Sequence, residues 1–157
     1  MSKTGGVQIL SVNQITLPQL PQQPPPIKLS IFDSVWTGLP PVQRLFLFSN
    51  PSTTLSFPSL VEALKSSLSS VLLDFLPLSG KLTYVPSTGD VEIDLSSPSV
   101  TFVEAESDID LRRLATSEIH DVGLFTKLVP VIDTRVLPFS VLAVQVRHLH
   151  CNLSLRV

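Results

Sequence analysis

Between residues 59 and 75 the chain repeats apolar residues at three- and four-residue intervals, and no other stretch constrains the fold as tightly. Leu60, Val61, Leu64, Leu68, Val71, Leu72 and Phe75 fall on one stripe of a helical wheel, while Glu62, Lys65, Ser66, Ser69 and Ser70 lie elsewhere around it. The spacing predicts a helix over 59–75. Ser59 with Glu62 matches a capping box, Pro58 suits a helix start, and Pro77 and Gly80 stop it.

Around this helix the pattern is extended. Val7–Val12, Lys81–Val85, Val91–Leu95, Val100–Ala105, Val129–Ile132 and Val141–Val146 read as strands, and the Ser87-Thr88-Gly89-Asp90 turn joins the second and third as a hairpin. Val42–Phe48 (VQRLFLF) is apolar on both faces at its centre, the pattern of a buried strand. Asp108–Ala115, with Ile109, Leu111 and Leu114, has room for one or two helical turns. Pro18, Pro21, Pro24, Pro25 and Pro26 make 18–26 an extended surface connector, because each proline fixes φ and removes a donor. The fold class is α/β (α+β), with no internal repeat.

Composition narrows the functional classes. At 157 residues, 43% hydrophobic and 15% charged, the chain has the size of one domain and is too apolar for disorder. A formal net charge of −2 gives no reason to expect nucleic acid or an anionic membrane as partner. Cys151 is the only cysteine, which rules out a disulfide framework and fits a reducing compartment. The most apolar stretch, Leu124–Val146, is broken by Lys127, Pro130, Asp133, Arg135 and Pro138, and the first ten residues lack a signal-peptide core. A cytoplasmic, soluble protein is the expectation. The low charge fraction further suggests surface that packs against something else.

Several runs, taken in order, resemble one family. Ile31-Phe32-Asp33-Ser34-Val35-Trp36 leads to Pro40-Pro41-Val42-Gln43-Arg44-Leu45-Phe46-Leu47-Phe48. Leu64–Leu68 then leads to Phe75-Leu76-Pro77-Leu78-Ser79-Gly80-Lys81-Leu82. Phe102-Val103-Glu104-Ala105, Leu128-Val129-Pro130 and Val141–Val146 follow. Together they resemble the N-terminal part of the BAHD acyltransferases of plants, above all the clade that acylates anthocyanins and other phenolic glycosides. The resemblance implies a partial N-terminal domain over 1–146 of a two-domain, chloramphenicol-acetyltransferase-like fold with a tunnel between its domains. Acyl-CoA, for example malonyl-CoA, is the family's co-substrate, and no bound cofactor is implied. An HxxxD histidine takes the proton of the attacking acceptor, a task suited to a pKa near working pH.

Neither HxxxD nor the family's DFGWG occurs in this sequence. Four residues after His120, His148 and His150 come Leu124, Asn152 and Ser154. No catalytic residue is therefore assigned, and acyl transfer by this chain alone is not expected. Residues 147–157 depart from the family pattern, as a frameshift, retained intron or alternative splice would cause. His148 and His150 share a strand face beside Cys151, but a metal needs three or four converging ligands, so none is assigned. By resemblance, Arg44 and Phe46 border the acceptor side of the tunnel, with a core Phe46 and a rim Arg44 as the plain alternative. Asp33 reads as a turn or cap residue. The partner expected is a full-length acyltransferase relative, or a second copy, met through an exposed strand edge.

Overall fold

The computed structural model describes residues 7–17, 22–48, 56–109 and 122–149. Its long helix runs Phe57–Asp74, two residues earlier than the spacing predicts. Ser56, not Ser59, is the N-cap: its hydroxyl accepts from the Ser59 amide at 3.4 Å, with Pro58 in the first turn. Glu62 does not complete the expected box; it accepts instead from Lys65 Nζ at 2.9 Å. A 3-10 turn, Leu76–Ser79, ends the helix where Pro77 forbids its continuation.

Seven strands form two sheets among the described residues. We number them β1 (Val7–Thr16), β2 (Ile27–Lys28), β3 (Lys81–Val85), β4 (Asp90–Asp94), β5 (Ser99–Ser107), β6 (Phe139–Ser140) and β7 (Ala143–Leu149). The helices are α1 (Ile31–Trp36), α2 (Phe57–Asp74) and α3 (Val122–Thr126). One sheet has the order β1-β5-β7 and the other β2-β4-β3-β6. β1 runs antiparallel to β5 with a bulge between Ile9 and Ser11, and β7 runs parallel to β5. The β3–β4 hairpin turns at Gly89, whose φ of 74° is left-handed and free of strain only for glycine. Gly80 matters for space: a Cβ there would collide with the Ile93 side chain and lie 3.0 Å from the Asp94 carbonyl.

β5 is the spine of the core, and its two-residue period sorts its neighbours onto two faces. On one face Phe102 packs with Ile15 of β1 and Val61 of α2, flanked by Phe57, Leu68, Val144 and Val146. On the other, Leu149 of β7 packs on Ile109 and Leu128 with Leu124 and Phe125 of α3. The predicted stripe of α2 thus divides. Val61 and Leu72 are fully buried, whereas Leu60, Leu64, Val71 and Phe75 stay exposed.

A charged tie joins α2 to the sheet. Lys65 Nζ lies 2.6 Å from Glu104 of β5 and 2.9 Å from Glu62, and sits 5.7 Å from the Phe102 ring centroid. Asn13 also donates to Glu104 at 3.1 Å. The Lys65 hydrogen bond, with help from Ser11, holds the Glu104 carboxyl below its usual pKa. Glu104 first and then Glu62 push the Lys65 ammonium up. A lowered carboxyl stabilises the fold above the unfolded value near ~4.3 and loses that stabilisation as pH falls through the folded pKa. A raised ammonium contributes below ~10.4 and loses it as pH rises through the folded pKa. The tie therefore operates between these limits. In a double-mutant cycle of Lys65→Met and Glu104→Gln, urea unfolding at pH 7 should give a coupling of about 1 kcal/mol that is lost at a pH below the folded pKa of Glu104. Equal coupling at both pH values would refute the ion pair's contribution.

Two expected strands do not form. Val129–Ile132 makes no ladder, since Pro130 removes a donor and the preceding residues turn out of α3. Val42–Phe48 makes none either, and it is exposed throughout rather than buried. A strand exists through its neighbour, and no described residue pairs with this one. The 18–26 connector is described only from residue 22, and Pro24–Pro26 precede β2, which the sequence pattern does not announce. Of the turns expected over 108–115, residues 110–115 lie outside the described residues.

Candidate functional site

An open groove of about 470 Å³ lies on the β2-β4-β3-β6 sheet. Leu82, Thr83 and Tyr84 of β3 form its floor, with Val91 of β4 beside them. Thr134, Arg135 and Phe139 wall it from the chain before β7. The hairpin and β6 place these side chains, because β6 joins β3 through Leu82–Phe139 and Lys81–Ser140. The groove's arginine is already committed. Arg135 donates from Nε at 2.8 Å and from Nη2 at 2.7 Å to Asp133, and this fork holds the Asp133 carboxyl at about 2. Among the described residues no histidine or carboxylate lines the groove, so it offers hydroxyls and a phenol ring but no group that takes a proton near neutrality.

The residues singled out in the sequence are dispersed. Arg44 and Phe46 lie in the exposed Val42–Phe48 segment, and neither lines the groove. Asp33 caps α1 as expected: its carboxylate accepts from the Ser30 amide at 3.1 Å, while its own amide donates to Ser30 Oγ at 3.2 Å. These hydrogen bonds hold its pKa down. His148 sits on β7 with its ring stacked on Phe57, centroids 4.9 Å apart. His120, His150 and Cys151 lie outside the described residues, among which no cluster of three metal-ligating side chains exists.

One charged group escapes sequence reasoning. Arg147 of β7 donates from Nη2 to the Lys127 carbonyl at 2.9 Å, beside a Gln145 bond of 3.1 Å to the Leu128 carbonyl. Its Nε and Nη1 are buried with no hydrogen-bond partner among the described residues, and burial lowers its pKa. The β7 ladder carries this arginine past Val146 to Leu149, with Arg147 opposite Ala105. Alternation along β7 alone signals that Arg147 shares a face with Leu149.

What the described residues build is a helix-backed sheet and a side hairpin, without an assembled catalytic centre. The family model for the Transferase family matches residues 7–156. The chain belongs to this family, the BAHD acyltransferases, and corresponds to the N-terminal part of its malonyltransferase-like members. It is 37% identical over 143 residues to malonyl-CoA:anthocyanidin 5-O-glucoside-6''-O-malonyltransferase of Arabidopsis thaliana, covering 89% of this chain and 31% of that protein. It is 35% identical over 139 residues to phenolic glucoside malonyltransferase 2 of the same plant, covering 83% of this chain and 29% of that protein. The fold matches the crystal structure of vinorine synthase with a TM-score of 0.68 at 22% identity, covering 93% of this chain and 35% of that one. The chain thus spans about a third of the length of the curated relatives it matches.

Proposed function

We propose that this chain supplies the N-terminal part of an acyl-CoA-dependent O-acyltransferase that moves a malonyl group to a phenolic glycoside. In this reading the 157 residues do not perform the transfer alone. The observation that carries it is the family match over 7–156, joined to relatives whose names specify malonyl transfer to anthocyanidin and phenolic glucosides. Arg44 and Phe46 are assigned to the acceptor side, where an aromatic ring offers a stacking surface and a guanidinium a hydrogen-bond fork. A cytosolic location fits the sole cysteine, and no described helix is long and apolar enough to cross a membrane.

The test joins residues 1–149 to the unmatched remainder of the Arabidopsis malonyltransferase. This joined chain should transfer malonyl from malonyl-CoA to an anthocyanidin 5-O-glucoside. Phe46→Ala in it should raise KM for the glucoside about tenfold and leave KM for malonyl-CoA alone. A folded joined chain without transfer to any phenolic glucoside would sink the proposal.

A second reading is favoured by the order β1-β5-β7. Among the described residues no strand pairs with the outer side of β7, and a terminal strand of a sheet is where another chain can add. This chain would then be a non-catalytic partner of a full-length relative. It predicts slower turnover of that relative when the chain is added, which the first reading does not require.

A further inference from the structure

The fold takes part of Arg147 out of water without giving it a counter-charge. A guanidinium carries five N–H donors, one on Nε and two on each terminal nitrogen. Nη2 donates to the Lys127 carbonyl at 2.9 Å, while Nε and Nη1, which hold three of the five, are buried and unpartnered. No carboxylate among the described residues pairs with Arg147, and the residue opposite it on β5 is Ala105. An arginine keeps its proton inside a protein, so the charge stays. One charge-assisted bond to a carbonyl does not offset the hydration lost by three donors. The segment that covers them is short. Lys127 and Leu128 donate their amides to the Leu124 and Phe125 carbonyls at 3.1 and 2.9 Å, and their own carbonyls accept from Arg147 and Gln145 of β7. Leu124, Phe125 and Leu128 pack with Ile109 and Leu149, and residues 122–128 join no strand ladder. A small apolar cluster and two side-chain bonds therefore sit against an unneutralised cation.

We infer that residues 122–128 and Arg147 form an anion-responsive latch: when the segment lifts from β7, the freed guanidinium binds an oxyanion, a phosphate or a carboxylate, which holds the segment off. Lifting restores water to Nε and Nη1, so the latch opens at a smaller cost than a cover over apolar side chains alone would. The freed fork then presents parallel N–H donors to two oxygens of one anion, the geometry that guanidinium groups match best. Only the lifted state offers these donors. The anion therefore binds that state and shifts the population towards it. This device stands apart from acyl transfer and from either reading of function above, since it needs no residue assigned to the acceptor side.

Hydrogen exchange of the Lys127 and Leu128 amides in the full 157-residue chain reads the latch. Arg147→Met removes the buried charge and should slow both amides at least about tenfold. Arg147→Gln, neutral but still carrying an amide donor, should slow them too, and it keeps the test open if the Met chain misfolds. Protected β5 amides report that each chain is folded. In the unsubstituted chain, sodium phosphate or sodium acetate in place of sodium chloride, at equal pH and ionic strength, should speed both amides at least about threefold. Neither variant should respond. A response to phosphate alone assigns the latch to phosphate groups, and one to acetate alone assigns it to carboxylates. Unchanged or faster exchange in the folded neutral variants overturns the inference, because Arg147 then steadies the closed segment or leaves it indifferent. So does exchange that both oxyanions leave unchanged, or that either one slows, since an anion that slows it sits in the closed state.

Discussion

Incubated with malonyl-CoA and a phenolic glucoside, the purified 157-residue chain is expected to release CoA no faster than buffer does. A sugar hydroxyl is a poor nucleophile until a base takes its proton as it attacks the thioester carbonyl. Losing that base alone costs about 10²–10⁴-fold. The sequence holds three histidines, and none is followed four residues on by aspartate. His148, the one described, is stacked on Phe57 of α2 and does not line the groove. The groove brings hydroxyls and a phenol but no proton acceptor, and its arginine is neutralised by Asp133. CoA release followed with a thiol reagent settles the point. Transfer confirmed by the mass of the malonylated glucoside, at more than about ten times the buffer rate, would mean that a base other than an HxxxD histidine serves the reaction.

What is legible in the sequence is what depends on local pattern. The α2 stripe, the Ser87–Asp90 hairpin turn, β3, β4 and β5 all announce themselves within a few residues, through period and turn chemistry. Differences of detail come from competing local solutions. Ser56 and Ser59 are both good caps, and Pro58 is satisfied by the earlier start because a first-turn proline lacks a donor that would be idle anyway. β6 escapes the pattern because two residues carry no period at all; only its pairing with Leu82 and Lys81 defines it. VQRLFLF misleads for the opposite reason. Its pattern is strong, but a pattern specifies what a strand wants to bury and cannot provide the neighbour. The Lys65–Glu104 tie joins residues far apart in sequence and has no local signature either. For the candidate site, order along the chain identifies the family, while the placement of Arg44 and Phe46 outside the groove requires the three-dimensional arrangement.

Replacing Phe102 by alanine should cost about 3–5 kcal/mol, the largest effect of any single truncation in this core. Phe102 is 1% exposed at the centre of β5 and packs on Ile15 and Val61, which come from the two elements that hold the sheet and helix together. The backbone around it leaves little room to collapse into the void. Val103 is held by Val12 on one side and Gln145 on the other, and Phe102 itself lies opposite Asn13 and Val144 in the two ladders. The ring also carries the Lys65 ammonium 5.7 Å from its centroid, so truncation removes a cation–π contact and loosens the tie to Glu104. Domains of this size are stable by only about 5–15 kcal/mol, so the loss takes a large share of the whole. Urea unfolding should show a lower midpoint with an unchanged slope. Phe102→Leu, which refills part of the volume and keeps the face apolar, should recover more than half of the loss. Equal losses for alanine and leucine would point to ring-specific contacts, above all Lys65, as the main source of the effect. A loss below about 1 kcal/mol for alanine would instead show that α2 settles onto β5 without the ring, and that the two-faced spine of the fold is less rigid than its ladders imply.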